Sequence, residues 1–249
     1  MTIHTDTGAP AQALPTVVLV HGAFAESASW NGVIARLQSQ GHPVIAAANP
    51  LRGLAEDADQ LRSVLDQVHG PVVLAGHSYG GSVMSLAAEG HPGVRALVYV
   101  GSFLLEEGES TGELAGRFPG NELGSSLDAV PVPDGKGGTV TDLYIQPARF
   151  AAVFAADVPA ETAELMLATQ RPITQEALEE KATGAAWRTI PSWTLVTRQD
   201  LAVPAEAQRF MAERARSTVV EVDASHAVAV SQPGAVADLI VAAARATAG

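Results

Sequence analysis

A serine between two glycines has the surroundings that most clearly predict chemistry in this sequence. Ser78 is the centre of the motif GHSYG at residues 76–80, which follows the apolar run 71–75 and precedes the helical pattern 79–89. A serine in a sharp strand-to-helix turn projects its hydroxyl group away from the chain, and flanking glycines lack the Cβ atoms that would collide there. This arrangement, a nucleophile elbow, predicts a nucleophilic role for Ser78, with an ordinary glycine-rich turn as the alternative.

A serine hydroxyl is a poor nucleophile at neutral pH and needs a histidine that accepts its proton. His226 follows the predicted strand 218–222, so we expect it at the edge of the sheet where parallel strands end, the carboxyl edge. The other histidines lie near the N-terminus, in turns that enter strands at the opposite edge, or inside motifs. His226 is therefore the predicted base, and a surface histidine without a role is the alternative.

The histidine in turn needs a carboxylate on its second ring nitrogen. Asp200 follows the predicted strand 192–197, and the chain order serine, acid, histidine is that of a nucleophile-elbow enzyme. Asp223 is too close in sequence to His226, whereas Glu106 and Glu107 follow another predicted strand and remain rivals. We predict that Asp200 is the acid.

Two backbone N–H groups are expected to form an oxyanion hole, the site that stabilises negative charge on the carbonyl oxygen under attack. The N–H of Tyr79 lies at the start of the helix after Ser78, and that of Ala23 follows the first predicted strand. The alternative for this second segment is that His21 and Gly22 only end the strand.

Alternating strand and helix patterns predict an α/β fold with a doubly wound, mostly parallel six-stranded sheet and helices on both faces. The predicted strands are residues 16–20, 43–47, 71–75, 95–100, 192–197 and 218–222. Predicted helices include residues 55–68, 79–89 and 204–215, and a last helix opened by Ser231 with Pro233 in its first turn.

The alternation lapses between Phe103 and about residue 190. This stretch contains helical pieces and a PVPDGKGG turn that predicts two short strands. It lacks the hydrophobic pattern of an independent domain, so residues 1–249 are predicted to form one domain with a lid, or cap, insertion at about 103–190.

Composition excludes several classes of function. The formal net charge of −12 disfavours nucleic acid and anionic membrane surfaces as partners, and the absence of cysteine excludes disulfides and thiolate chemistry. The N-terminal residues have neither the basic nor the apolar region of a secretion signal, so a cytoplasmic location is expected. The sequence does not decide between a monomer and a homodimer.

The chain resembles the α/β-hydrolase superfamily, in particular its compact branch of esterases, salicylate-type methylesterases and hydroxynitrile lyases. The resemblance covers nearly the whole chain and rests on HGAFAESASW, GHSYGG, LVYVGSFLLEEGES, RQDLAVP and ASHAVAVSQP. It implies an acyl-serine intermediate that water resolves. The lyases of the branch carry other residues at the positions of Ala227 and Gly22 in this chain. The resemblance therefore favours ester hydrolysis over cyanohydrin cleavage.

We therefore expect a serine hydrolase that cleaves a small carboxylic ester and requires no cofactor or metal. Aromatic side chains are predicted either to line an apolar substrate pocket or to belong to the core: Phe24, Phe103, Phe150 and Phe154. Lyase chemistry or cofactor-free oxygenation on the same residues is the alternative activity. A non-catalytic ligand-binding protein is a further alternative.

Overall fold

The computed structural model describes residues 14–135 and 137–247. The N-terminal residues on which the targeting expectation depends lie outside these ranges. The strands are β1 (Thr16–Val20), β2 (Val44–Ala47), β3 (Val72–His77), β4 (Val94–Val100), β5 (Leu127–Pro133), β6 (Thr139–Ile145), β7 (Ile173–Thr174), β8 (Ser192–Thr197) and β9 (Thr218–Val222).

Ten α-helices and three short 3-10 helices occur within the described ranges. The α-helices are α1 (Asn31–Ser39), α2 (Leu54–Leu65), α3 (Tyr79–Ala87), α4 (Thr111–Arg117), α5 (Pro147–Phe154), α6 (Ala160–Ala168), α7 (Gln175–Glu179), α8 (Ala205–Arg214), α9 (Val228–Ser231) and α10 (Pro233–Ala246). The 3-10 helices are Ser27–Trp30, Gly124–Ser126 and Ala186–Arg188.

Six strands form one parallel sheet in the order β2-β1-β3-β4-β8-β9, which confirms the predicted fold class. The chain moves from β1 to β2 on one side and then returns to pair β3 with the other side of β1. In open α/β sheets, ligands bind outside the carboxyl edge at such a reversal of strand order. The loops that follow β1 and β3 flank this point.

Helices cover both faces of the sheet because successive side chains of a buried strand point to opposite sides. Val17 and Leu19 belong to one apolar cluster with residues of α1 and α10. Val18 and Val20 belong to a second cluster with residues of α2, α3 and α8. The doubly wound arrangement therefore follows from strands that are apolar on both faces.

Several helix boundaries differ from the sequence predictions by one to three residues. The second helix ends at Leu65 rather than at residue 68. The last helix begins at Pro233, whereas Ser231 ends the short α9, because Gln232 has the non-helical angles φ −131° and ψ 55°. Proline disfavours helical angles in the residue before it, so a break at this position is expected.

Residues between β4 and β8 form an insertion that contains α4 to α7 and a three-stranded antiparallel sheet, β5-β6-β7. The hairpin of β5 and β6 is the pair of strands predicted around the PVPDGKGG turn. Arg52, before α2, ties this small sheet to the main body: its guanidinium donates to Asp142 Oδ1 at 2.6 Å and to the Pro172 carbonyl at 2.9 Å.

No helix in the ranges 14–135 and 137–247 combines the length and apolar character needed to cross a membrane.

A buried carboxyl group lies between α2 and α3. The Tyr79 hydroxyl donates to Asp57 Oδ2 at 2.9 Å, and the Arg52 N–H donates to Oδ1 at 3.1 Å. Burial, only partly offset by these hydrogen bonds, raises the pKa of Asp57 from 3.8 to about 6. The folded protein therefore binds this proton more tightly than the unfolded chain does.

This raised pKa predicts a pH-dependent loss of stability. Between pH 3.8 and about 6 the unfolded chain releases the Asp57 proton while the folded protein retains it, so the free energy of unfolding falls by about 3 kcal/mol as pH rises through this window. Asp57→Asn removes the titrating group and keeps an acceptor for Arg52. We expect the difference in unfolding free energy between wild type and variant, measured in urea at pH 4, 5, 6 and 7, to change by that amount; a constant difference contradicts the assignment.

Candidate active site

Ser78 lies in the turn between β3 and α3, with φ 53° and ψ −127°. A positive φ is strained for a residue other than glycine and is retained only where the surroundings fix it. The chain doubles back so tightly that a Cβ atom on Gly80 would lie 2.4 Å from the Val20 carbonyl oxygen, and one on Gly76 would lie 2.7 Å from the Gly80 carbonyl carbon. Both flanking glycines are thus required by close backbone contacts.

His226 contacts Asp200 at the carboxyl edge of the sheet. Its Nδ1 lies 2.8 Å from Asp200 Oδ2, and both side chains are buried. With Nδ1–H donating to the carboxylate, Nε2 carries the lone pair that accepts a proton. This Nε2 is buried and has no hydrogen-bond partner among the described residues.

His77, the residue before Ser78, holds the His226 loop against the elbow. The His77 Nε2–H donates to the His226 carbonyl at 2.8 Å, and the two ring centroids are 4.6 Å apart. Burial, with the nearby His226 as a further cause, lowers the pKa of His77 to about 3. His77 is therefore neutral at physiological pH and acts as a hydrogen-bond donor.

Five donors surround the Asp200 carboxylate. Oδ1 accepts the N–H groups of Ala202 and Val203 at 2.8 Å each, and Oδ2 accepts from Thr197 Oγ1 at 2.7 Å, from Gln208 Nε2 at 3.2 Å and from His226. Burial alone would raise the pKa of Asp200, but His226 and these hydrogen bonds hold that pKa below its ordinary value. The carboxylate is therefore charged at neutral pH.

The rival acids lie elsewhere. Glu106 pairs with Arg188, which holds the pKa of that carboxyl below its usual range, and Glu107 is exposed. Asp223 is also exposed and pairs with Arg198. Of these four carboxylates, only Asp200 contacts the His226 ring.

Gln208 of α8 is a buried polar residue that the sequence analysis missed. Its Oε1 accepts the Thr197 N–H at 3.0 Å, and its Nε2 donates to Thr197 Oγ1 and the Val203 carbonyl at 2.7 Å each. Gln208 thus holds both segments that donate to Asp200. The available signal was a glutamine on the buried face of a helix, next to Ala207 and before Met211.

The loop after β1 packs directly against the elbow. A Cβ atom on Gly22 would lie 2.7 Å from Ser78 Cβ, and the next N–H groups along the two turns are those of Ala23 and Tyr79. Neither N–H donates to an acceptor among the residues that the structure describes. Two free donors next to the Ser78 side chain are what an oxyanion hole requires.

His21 fixes the path of this loop. Its Nε2 accepts the Asn49 N–H at 3.1 Å, and the Asn49 side chain donates to the His21 carbonyl at 2.9 Å. Burial lowers the pKa of His21 to about 4, so the ring is neutral and can accept this bond at physiological pH. His21 and His77, the histidines that precede Gly22 and Ser78, therefore both stabilise the backbone of a neighbouring loop through hydrogen bonds.

The four predicted pocket residues are all buried, and their positions differ. The Phe154 ring contacts His226 edge-on at 5.0 Å between centroids, and it also contacts Phe24 at 6.4 Å and Phe150 at 5.3 Å. All four belong to the apolar cluster on the α2 and α3 face of the sheet. Phe154 therefore covers the His226 ring from the insertion.

The Phe154 backbone is anchored to the loop that carries His226. Its carbonyl accepts the Ala227 N–H at 2.9 Å and the Ser225 hydroxyl at 3.3 Å, and the same hydroxyl contacts Asp157. Ser78 is 7% exposed and His226 is 1% exposed in this arrangement. The end of α5 thus closes over the site.

No group of three His, Asp or Glu side chains within the described part of the chain is arranged to hold a metal ion. A buried imidazole held by a carboxylate is a group that can accept a proton.

The sequence model of the alpha/beta hydrolase family matches residues 17–239, a span that contains every residue of this site. The chain belongs to the alpha/beta hydrolase family. Relatives of this hydrolase include a pyrethroid hydrolase from Sphingobium wenxiniae, 29% identical over 249 residues that cover 90% of this chain and 85% of the relative. An esterase from Oryza sativa subsp. japonica is 27% identical over 253 residues, which cover 90% of this chain and 93% of the relative.

Among solved structures, polyneuridine aldehyde esterase superposes on this hydrolase with a TM-score of 0.79. The two chains are 20% identical, and the match covers 92% of this chain and 98% of that protein. At this level of identity the likeness shows the shared fold.

Gln208→Leu tests the support of Asp200. The variant leaves the Thr197 N–H and the Val203 carbonyl buried without their partner, so we expect the free energy of unfolding to fall by about 2 kcal/mol or more. Turnover should fall as well, because Asp200 Oδ2 loses a donor.

Met211→Leu, one helical turn further on, is the matched control because Met211 is buried in α8 and its Sδ, a weak acceptor, contacts the Leu104 N–H at 3.2 Å rather than Asp200. The free energy of unfolding in urea and the rate of ester turnover are measured for both variants, and we expect both to fall further in Gln208→Leu than in Met211→Leu. Equal effects of the two substitutions contradict a specific role of Gln208.

Proposed function

We propose that this hydrolase cleaves a small carboxylic ester through an acyl-enzyme formed on Ser78, with His226 as the base and Asp200 as the carboxylate that orients His226. The observation that carries the proposal is the 2.8 Å contact between His226 Nδ1 and Asp200, on a loop held against the strained turn of Ser78. The names of the two relatives, a hydrolase and an esterase, support ester hydrolysis in general.

In the first half of the proposed reaction, Ser78 Oγ attacks the ester carbonyl carbon while His226 Nε2 accepts the hydroxyl proton. The carbonyl oxygen becomes an oxyanion that accepts hydrogen bonds from the N–H groups of Ala23 and Tyr79. His226 then donates its proton to the departing alkoxide, which leaves as the alcohol. The product of this half is an ester of Ser78.

In the second half, water attacks the carbonyl carbon of the acyl-serine and gives a proton to His226. The oxyanion again accepts the two N–H groups, and the bond to Ser78 Oγ breaks as His226 returns the proton to the serine. The carboxylic acid leaves and the enzyme is restored. The Asp200 carboxylate keeps His226 in one tautomer and stabilises the imidazolium in both halves.

The buried position of the site favours this chemistry. Because Phe154 and the insertion exclude water from His226, the hydrogen bonds to the oxyanion act in a medium of low dielectric constant, where they are stronger. The closed arrangement also means that substrate binding requires Phe154 to move. A flexible insertion is a common means of admitting substrate in enzymes.

Ser78→Ala should lower kcat/KM for an ester such as p-nitrophenyl acetate by at least about a thousandfold, since the nucleophile is lost. The free energy of unfolding should change little, because alanine is smaller than serine in a turn that is already formed. Release of p-nitrophenol measures turnover. Identification of the products of each ester also distinguishes hydrolysis from lyase or oxygenase chemistry.

Ser82→Ala is the matched control. Ser82 lies one turn further along α3, is also buried, and contacts the Thr111 hydroxyl at 3.0 Å. We expect this variant to retain turnover. Full activity of Ser78→Ala, or an equal loss in both variants, refutes the proposed nucleophile.

A further inference from the structure

A cavity of about 400 Å³ lies between the insertion and the loop after β1. One wall is formed by Phe24, Ala25 and the 3-10 helix Ser27–Trp30, and the other by α6. The volume falls within the range of small-molecule sites, about 300 to 1,000 Å³. None of the catalytic roles proposed above uses this space.

The cavity lies next to the candidate active site. Phe24 directly follows Ala23, a proposed oxyanion donor, and Val230, four residues after His226, is part of the lining. The Phe154 ring contacts both Phe24 and His226, at 6.4 and 5.0 Å between centroids. A single aromatic ring therefore bridges the cavity wall and the proposed base.

The lining is mostly apolar, and two of its hydroxyl groups are already engaged. Ser29 Oγ donates to the Glu26 carbonyl at 2.7 Å, and Thr169 Oγ1 donates to the Leu165 carbonyl at 3.0 Å. Leu165 is 64% exposed and adds apolar surface to the rim of the cavity. These features favour a ligand that offers apolar surface rather than hydrogen-bonding groups.

The charges of the cavity lining disfavour an anionic ligand group. Glu26 is the charged side chain of the lining, which contains no lysine or arginine, and Glu161 and Glu164 flank the α6 wall in sequence. A carboxylate bound here would find no cation within the lining and would be repelled by Glu26. The chemistry of the cavity is therefore that of an uncharged, bulky apolar group.

We propose that this cavity binds the larger, uncharged apolar group of the ester substrate, with the ester carbonyl reaching Ser78 where Phe154 moves aside. This inference rests on the proposed function and narrows it: the preferred substrates are neutral esters with an aromatic or branched group, rather than short-chain or acidic esters. The apolar group is defined by its chemistry, and the experiment determines whether it is on the acyl or the alcohol side.

Two substitutions alter the cavity without disturbing the core. Ala28→Trp adds volume at an exposed position of the lining, and Leu165→Asp places a charge on its rim. The matched control is Val130→Asp, which also adds a negative charge at an exposed apolar position of the insertion, on β5 and outside the cavity lining.

The substrates are methyl 2-naphthoate, with the bulky group on the acyl side, 2-naphthyl acetate, with it on the alcohol side, and methyl acetate as the small reference. For at least one bulky ester, we expect the ratio of its kcat/KM to that of methyl acetate to fall tenfold or more in Ala28→Trp and in Leu165→Asp, mainly through KM. Val130→Asp should leave the ratio within about twofold of wild type. The ester that responds identifies the side that occupies the cavity.

Binding to the Ser78→Ala protein, measured by calorimetry, separates this inference from the proposed nucleophile. The same bulky ester should bind to Ser78→Ala, bind at least tenfold more weakly when Ala28→Trp is added, and bind more tightly than 2-naphthoate, an anion with the same ring system. Unchanged ratios and affinities in both cavity variants overturn the inference, as does an equal effect of Val130→Asp, or the absence of both turnover and binding of the bulky esters. Full turnover by Ser78→Ala would instead refute the proposed function, and the cavity would still be tested by the change in KM.

Discussion

The buried carboxylate of Asp200 is the constraint on which the arrangement of the site depends. An unpaired charge in the interior of a protein costs several kcal/mol, so Asp200 can be buried only where its two oxygens meet enough donors. Those donors come from separate parts of the chain: the end of β8, the loop that follows it, α8, and the loop after β9 that carries His226. The parallel pairing of β8 with β9 brings these segments to one edge.

The backbone around Ser78 is the second constraint, and it acts through close contacts rather than through charge. β1 and β3 are neighbours in the sheet, so the turn after β3 is pressed against the carbonyl of Val20 and against Gly22. Side chains at Gly22, Gly76 and Gly80 would collide with backbone atoms. The strained φ of Ser78 persists because the strands on both sides of the turn are fixed. The same packing leaves the N–H groups of Ala23 and Tyr79 without acceptors among residues 14–135 and 137–247.

Sequence patterns predicted the sheet well where local signals are strong. The bounds of β1, β8 and β9 agree with the predicted strands residue by residue, because each is a run rich in β-branched residues between turn-forming segments. Asp200 and His226 were each expected after a strand at the carboxyl edge, but that β8 and β9 are neighbours, which places the two residues side by side, is seen only in the structure.

Other features depend on contacts between distant residues, which no local pattern reveals. The two-residue strand β7 exists only because it pairs with β6, and Gln208 differs from a surface glutamine only in the loops that fold around it. The hydroxyl of Tyr79 reaches Asp57 across the packing of two helices. The position of Phe154 over His226 likewise depends on how the insertion folds back, and the sequence indicated only that aromatic residues occur there.

The most direct test of the central claim is to identify the residue that an alkyl fluorophosphonate modifies, since this reagent phosphonylates a serine that a neighbouring histidine activates, with release of fluoride. Intact-protein and peptide mass spectrometry of the treated wild-type protein should show one adduct, on the peptide that contains Ser78, with loss of ester turnover in proportion to labelling. An adduct on another residue, or undiminished turnover by fully labelled protein, would contradict the account.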